Sequence, residues 1–123
     1  MKGRYEALND ILEGMRKDNP GLDAVAVVTS DGMPVVSLMK EADELKVSAM
    51  AATLQGVAEQ VIKELRGGSM AYLAVKSDKG ILLIKSLSRD FVLVMLIGAE
   101  SKLGYALWQA ESAGERLSKV LSP

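Results

Sequence analysis

The chain contains no cysteine and no histidine. Without cysteine there is no disulfide, no thiol nucleophile and no thiolate metal site. Without histidine, the commonest general base and the commonest metal ligand are missing. Aromatic residues are scarce, with one Trp, one Phe and three Tyr. Neither sign of charge is in excess. The formal net charge is −1, acids and bases are interspersed, and no basic patch marks a nucleic-acid binder. Long apolar runs are absent too. The longest, Phe91 to Ile97, falls far short of the ~20 residues a helix needs to cross a bilayer. The start, Met1 to Glu6, runs into a polar helical pattern and lacks the apolar stretch of a secretory signal. These absences imply a soluble, cytoplasmic protein that does not insert into a membrane. The 123 residues fit one domain, 1–123. A domain of that size buries about two thirds of the surface its unfolded chain exposes, enough to fold without staples.

What is present is a clear alternation of periods. From about Arg4 to Lys17, Tyr5, Leu8, Ile11, Leu12 and Met15 recur every three or four residues, which predicts an amphipathic helix ended by Asn19-Pro20-Gly21. The run Leu22 to Thr29 and the run Met33 to Leu38 flank Asp31-Gly32, a hairpin signal. Pro34 has no N–H to donate, so it belongs at a sheet edge or at the first residue of its strand. A long helix is predicted over about Glu41 to Arg66, ended by Gly67-Gly68. Its expected core face holds Val47, Met50, Ala51, Leu54, Val57, Ala58, Val61, Ile62 and Leu65. Three strand-like runs follow, Met70 to Lys76, Ile81 to Leu87 and Phe91 to Ile97, joined by short polar turns as in an antiparallel meander. The last is apolar throughout and therefore central, whereas the first is more polar and reads as an edge. A final helix is expected over about Ser101 to Leu121, with Ser101 as its N-cap and Leu103, Leu107, Ala110, Gly114, Leu117 and Leu121 on its inner face. The order is helix-strand-strand-helix-strand-strand-strand-helix. One five-stranded antiparallel sheet, ordered 2-1-5-4-3 with helices on both faces, buries every stripe in an α/β (α+β) fold.

No motif in the sequence carries catalytic chemistry. No phosphate-binding glycine loop or calcium loop is present. Ser69 in Gly67-Gly68-Ser69-Met70-Ala71 has no base to activate it and lies between a helix and a strand, the reverse of a nucleophile elbow. Glu41, Asp43 and Glu44 read as a solvated first helical turn. Arg89 lies in a turn, where a solvated role is favoured over that of an arginine finger. Among the methionines, Met50 and Met95 are expected in the core. No catalytic residue, cofactor site or metal site is expected.

The long helix carries one unusual feature. Ala49, Ala52, Thr53, Gly56 and Gln60 lie opposite its large residues, where a solvated face normally holds Lys and Glu. Gly in mid-helix costs about 1 kcal/mol against Ala, which points to close approach by a partner. The expected contacts at the dimer or partner interface are those five residues, together with Met70, Tyr72 and Ala74 on the edge strand.

The segments Gly21 to Val28, Ser30-Asp31-Gly32-Met33-Pro34, the helix Ala49 to Gly56, the meander and Leu103-Gly104-Tyr105 together resemble the Roadblock / dynein light chain family. The resemblance covers nearly the whole chain, which is expected to be a bare domain without partner-recruiting tails. It implies a homodimer whose sheets join edge to edge with the long helices paired. It also implies a non-enzymatic scaffold that binds and regulates a Ras-like small GTPase, with Glu59 and Lys63 as expected GTPase contacts. Bacterial relatives in gliding-motility polarity activate their GTPase by reshaping its active site, without donating a catalytic residue. The alternatives are a structural subunit of a larger complex and a small-molecule sensor of the PAS or profilin-like sort.

Overall fold

The computed structural model describes residues 3–40 and 42–123. Its elements are α1 (Arg4–Asp18), β1 (Leu22–Thr29), β2 (Pro34–Met39), α2 (Glu44–Glu64), β3 (Leu73–Lys76), β4 (Gly80–Ser86), β5 (Phe91–Gly98) and α3 (Leu103–Leu121). The strands form one antiparallel sheet ordered β2-β1-β5-β4-β3, as the sequence predicts. Pro34 satisfies both of its constraints, being the first residue of an edge strand.

On one face, α1 packs against β1 and β2, and α3 packs against β5 and α1. Leu8, Leu12 and Met15 of α1 and Ala106, Ala110, Ala113 and Leu117 of α3 meet Val25, Val27, Leu83, Leu93, Met95 and Ile97 of the sheet, all essentially sealed from water. Truncating such a Leu to Ala costs about 2–5 kcal/mol. A polar network also crosses this layer. Asn19 Nδ2 donates to Gln109 Oε1 (3.1 Å), and Gln109 Nε2 donates to the Met15 carbonyl (2.8 Å). Asn19 Oδ1 accepts from the Gly21 N–H (3.1 Å). Arg4 extends the clamp at the other end, where its guanidinium donates to the carbonyls of Val120 and Leu121 at the C-terminus of α3. Tyr5, the first residue of the expected stripe of α1, is 63% exposed.

The opposite face is covered by α2 alone, which rests on β1 and β2. Asp43 caps it by accepting from the Lys46 N–H (3.2 Å). The expected start near Glu41 lies outside the described residues. The helix ends by the mechanism the sequence implies, but one residue early. Arg66, not Gly67, takes the left-handed conformation (φ 56°). The N–H of Gly67 then reaches the Ile62 carbonyl (2.8 Å) and that of Arg66 reaches Lys63 (3.0 Å), a Schellman closure.

The structure corrects the inner face of α2. Its fully buried residues are Ser48, Ala51 and Gln55, and they lie over Ala26, Val28, Ile84, Val92 and Val94. Met50 (54% exposed), Leu54, Val57, Val61 and Leu65 are exposed, so Met50 is no core residue, whereas Met95 is. The reason is steric. Ala49 passes so close to the β1–β2 turn that a Cβ on Gly32 (φ +100°) would stand 3.1 Å from the Ala49 Cα. At that depth the small Ser48 and Ala51 lie beneath the N-terminal half of the helix, and Met50 and Leu54 turn to its flank.

Two smaller corrections follow. β3 begins at Leu73, so Met70 and Tyr72 precede the strand. At the start of α3 the N-cap is Lys102, without a side-chain cap bond. Ser101 instead lies against Gly21, where a Cβ would collide with its Oγ.

Candidate functional site

At about 3.6 residues per turn, the residues of α2 sort into four stripes. Ser48, Ala51, Gln55, Ala58 and Ile62 face the sheet, the first three buried and the last two half-buried. Met50, Leu54, Val57, Val61 and Leu65 form an exposed apolar flank. Ala49, Thr53, Gly56 and Gln60 form an exposed crest. Ala52, Glu59 and Lys63 lie on the remaining, polar flank.

The apolar flank adjoins sheet surface that no helix covers. Cross-strand partners share a face, so Leu73 pairs with Ile84, Val75 with Leu82, and Leu82 with Leu96 on the side of α2. Val75 and Leu96 are 45% and 39% exposed, and Leu73 and Leu82 are half-buried. Beyond them, β3 presents an unpaired edge of four residues. Scattered surface leucines need no explanation, but a contiguous flank, floor and open edge together mark an interaction site.

The crest is built differently. The Thr53 hydroxyl is spent within the helix, donating to the Ala49 carbonyl (2.9 Å). A Cβ added at Gly56 would meet nothing within 4 Å. Nothing in this chain therefore requires Gly there. Of the expected interface residues, Ala49, Thr53, Gly56 and Gln60 come together on the crest, and Ala52 joins Glu59 and Lys63 on the polar flank. Met70, Tyr72 and Ala74 form a separate group at the β3 edge. Ala74 pairs with Leu83 and so points to the opposite face from Leu73 and Val75. The apolar spacing of α2 predicts this flank in the core, and the structure places it in solvent. Its strict i, i+4, i+7, i+11 spacing beside a second, small-residue stripe is the signal that two surfaces are present.

The sequence matches the Roadblock/LC7 domain family over residues 8–96. The chain belongs to that family. It matches none of the curated proteins by sequence. Among solved structures it is similar to the Roadblock/LC7 domain of Streptomyces avermitilis, with a TM-score of 0.85, 16% identity, and 92% of this chain and 96% of that one covered. It is also similar to MglB of Myxococcus xanthus, with a TM-score of 0.88, 16% identity, and coverage of 98% and 92%. The gliding protein MglB of Thermus thermophilus gives a TM-score of 0.87 at 14% identity, with coverage of 98% and 92%. At such identities the likeness establishes the Roadblock fold.

Within this Roadblock domain, the polar flank of α2 borders a cleft of about 380 Å³ lined by Ser30, Ala52, Gln55, Glu59, Ser88 and Arg89, among others. Gln55 Nε2 donates to Glu59 Oε1 (3.0 Å), while Gln55 Oε1 has no hydrogen-bond partner. Among the described residues no group of three or more carboxylates could hold a metal ion, and no helix is long and apolar enough to cross a membrane.

Proposed function

We propose that this Roadblock domain is a non-enzymatic homodimeric scaffold that binds and regulates a Ras-like small GTPase. One observation carries the dimer. The flank Met50, Leu54, Val57, Val61 and Leu65 stands beside the bare sheet residues Leu73, Val75, Leu82 and Leu96. A second copy related by a two-fold axis brings an identical flank and an identical floor, so the surfaces match themselves. Pairing of the two β3 edges satisfies their open N–H and C=O groups and lays the two α2 helices side by side. Tyr72 and Met70, just before β3, then lie near the seam.

The crest and the polar flank of α2 stay free in this arrangement. They are the surface offered to the GTPase, with Ala52, Thr53, Gly56 and Gln60 allowing close approach and Glu59 and Lys63 beside them. Regulation of Ras-like GTPases by this family supports that partner. With no group on the crest suited to chemistry, any stimulation of GTP hydrolysis acts by ordering the GTPase's own switch loops.

The test has two parts. Light scattering at micromolar concentration is expected to give twice the chain mass, and Val57→Asp to give one chain mass with the fold retained. A monomeric wild type would overturn the dimer. Ras-like GTPases of the source cell, loaded with GTP analogue or GDP, are then titrated against wild type, Gln60→Ala and Lys63→Glu. Weaker binding by the variants is expected, and equal binding by all three would remove the crest from the interface.

A further inference from the structure

The polar cleft has an arrangement that the fold leaves incomplete. One wall is the flank of α2, with Gln55 and Glu59. The other is the end of β4 and the β4–β5 turn, with Ser86, Ser88 and Arg89. That turn is fixed in place. The Ser30 N–H donates to the Asp90 carbonyl (2.8 Å), and Ser30 Oγ donates to the Arg89 carbonyl (2.7 Å), tying it to the β1–β2 turn. The Arg89 side chain therefore rises from a braced backbone.

Glu59 and Arg89 line one cleft with opposite charges, yet no ion pair joins them among the described residues. Gln55, only 4% exposed, holds the Glu59 carboxylate through Nε2 (3.0 Å) and keeps Oε1 as an acceptor without a donor. That oxygen is sealed from solvent, so a docking partner engages this wall through the exposed Glu59 carboxylate that Gln55 holds. One wall thus wants a cationic donor and the other an anionic acceptor. The cleft opens between the crest residue Gly56 and the turn, so whatever docks on the crest overhangs it.

We propose that this cleft is the charged half of the GTPase-docking surface: Glu59 with Gln55 receives a basic side chain of the GTPase, and Arg89 receives an acidic one. This rests on the GTPase-binding reading above and adds the β4–β5 turn to the interface. Two opposite charges on facing walls also set the register of the partner, because a shifted partner meets like charge on at least one wall. Such pairs at an interface rim speed encounter and lose strength with salt.

The experiment uses the full chain and each Ras-like GTPase encoded by the source genome, loaded with a non-hydrolysable GTP analogue. Binding is measured by calorimetry at low and physiological salt for wild type, Glu59→Lys, Arg89→Glu and Thr53→Arg. Each charge reversal is expected to weaken binding about tenfold or more at low salt, and less as salt rises. The Gln55 side-chain amide resonances of the wild type are expected to shift when the GTPase is added. Arg89→Glu is the decisive variant, since its side chain is exposed and supports no other residue's hydrogen bonding. If Arg89→Glu binds like wild type and the Gln55 resonances stay fixed while Thr53→Arg, on the crest and outside the cleft lining, abolishes binding, the cleft is overturned and docking on α2 stands. If no GTPase binds the wild type, both fall together.

Discussion

Replacing Gly56 by Ala separates the demands of the fold from those of a partner. Gly56 lies in the thirteenth position of a 21-residue helix, well inside both caps. An Ala Cβ there meets nothing within 4 Å, so the substitution carries no packing cost within the chain. What remains is helix propensity, which favours Ala by about 1 kcal/mol. For a domain of this size, that raises Tm by about 3–5 °C. The assay is thermal unfolding followed by circular dichroism, with wild type and variant at matched concentrations, because dimerisation makes Tm depend on concentration. The same methyl group sits on the crest. If a partner backbone closes on Gly56, the variant loses about 1–3 kcal/mol of binding, or five- to a hundredfold or more in affinity. Higher stability together with weaker GTPase binding is the expected pair of results. A Tm equal to or below wild type would refute the reasoning, because it would mean that the crest is already in contact within the folded protein.

Two further substitutions probe α2. Ser48 is fully buried and its hydroxyl has no partner, so Ser48→Ala is expected to stabilise the protein by about 1 kcal/mol in urea denaturation, through the removed desolvation penalty and the better helix former. Arg66 occupies the left-handed position that ends α2, where most L-residues lose about 1–2 kcal/mol, so Arg66→Gly is expected to raise stability by about 0.5–1 kcal/mol in the same assay.

The strand order was only partly legible. Pro34 allowed an edge or the start of a strand, the all-apolar Phe91 to Ile97 demanded the centre, and the short polar turns favoured antiparallel neighbours, whereas the pairing of the first strand with the last was an inference from where the hairpin could join. α1 and α3 were legible for a related reason, since each has one apolar stripe and one place to bury it. α2 misled because it carries two. A large-residue stripe normally outcompetes a small one for the core, by about 0.8 kcal/mol per buried methylene. That ranking assumes the helix is free to choose its depth over the sheet. Here the close approach of Ala49 to Gly32 sets the depth, and Ser48, Ala51 and Gln55 are what fits. Single-residue spacing records which residues share a face. It does not record which of two faces lies nearer the sheet. The cleft was invisible for another reason. Arg89 and Glu59 are thirty residues apart in sequence, and only the ties between the β1–β2 and β4–β5 turns bring the elements that carry them together.

The two faces of the sheet are finished to different degrees, and that difference is the physical basis for expecting company on one of them. Asn19 and Gln109, the buried polar side chains between α1 and α3, satisfy each other and nearby backbone groups. Ser48 and Gln55, the buried polar side chains under α2, each retain an oxygen without a partner. The apolar surface divides in the same way. Leu8, Leu12 and Leu117 are sealed, whereas Leu54, Val57 and Val61 stand in water at 43–58% exposure. A chain selected only to fold on its own gains nothing from keeping either the open oxygens or the wet flank, because single substitutions in α2 would remove both. Their coexistence on one helix is expected when that helix is a boundary layer: apolar toward a second copy, small-featured at its crest, and polar toward the β4–β5 turn.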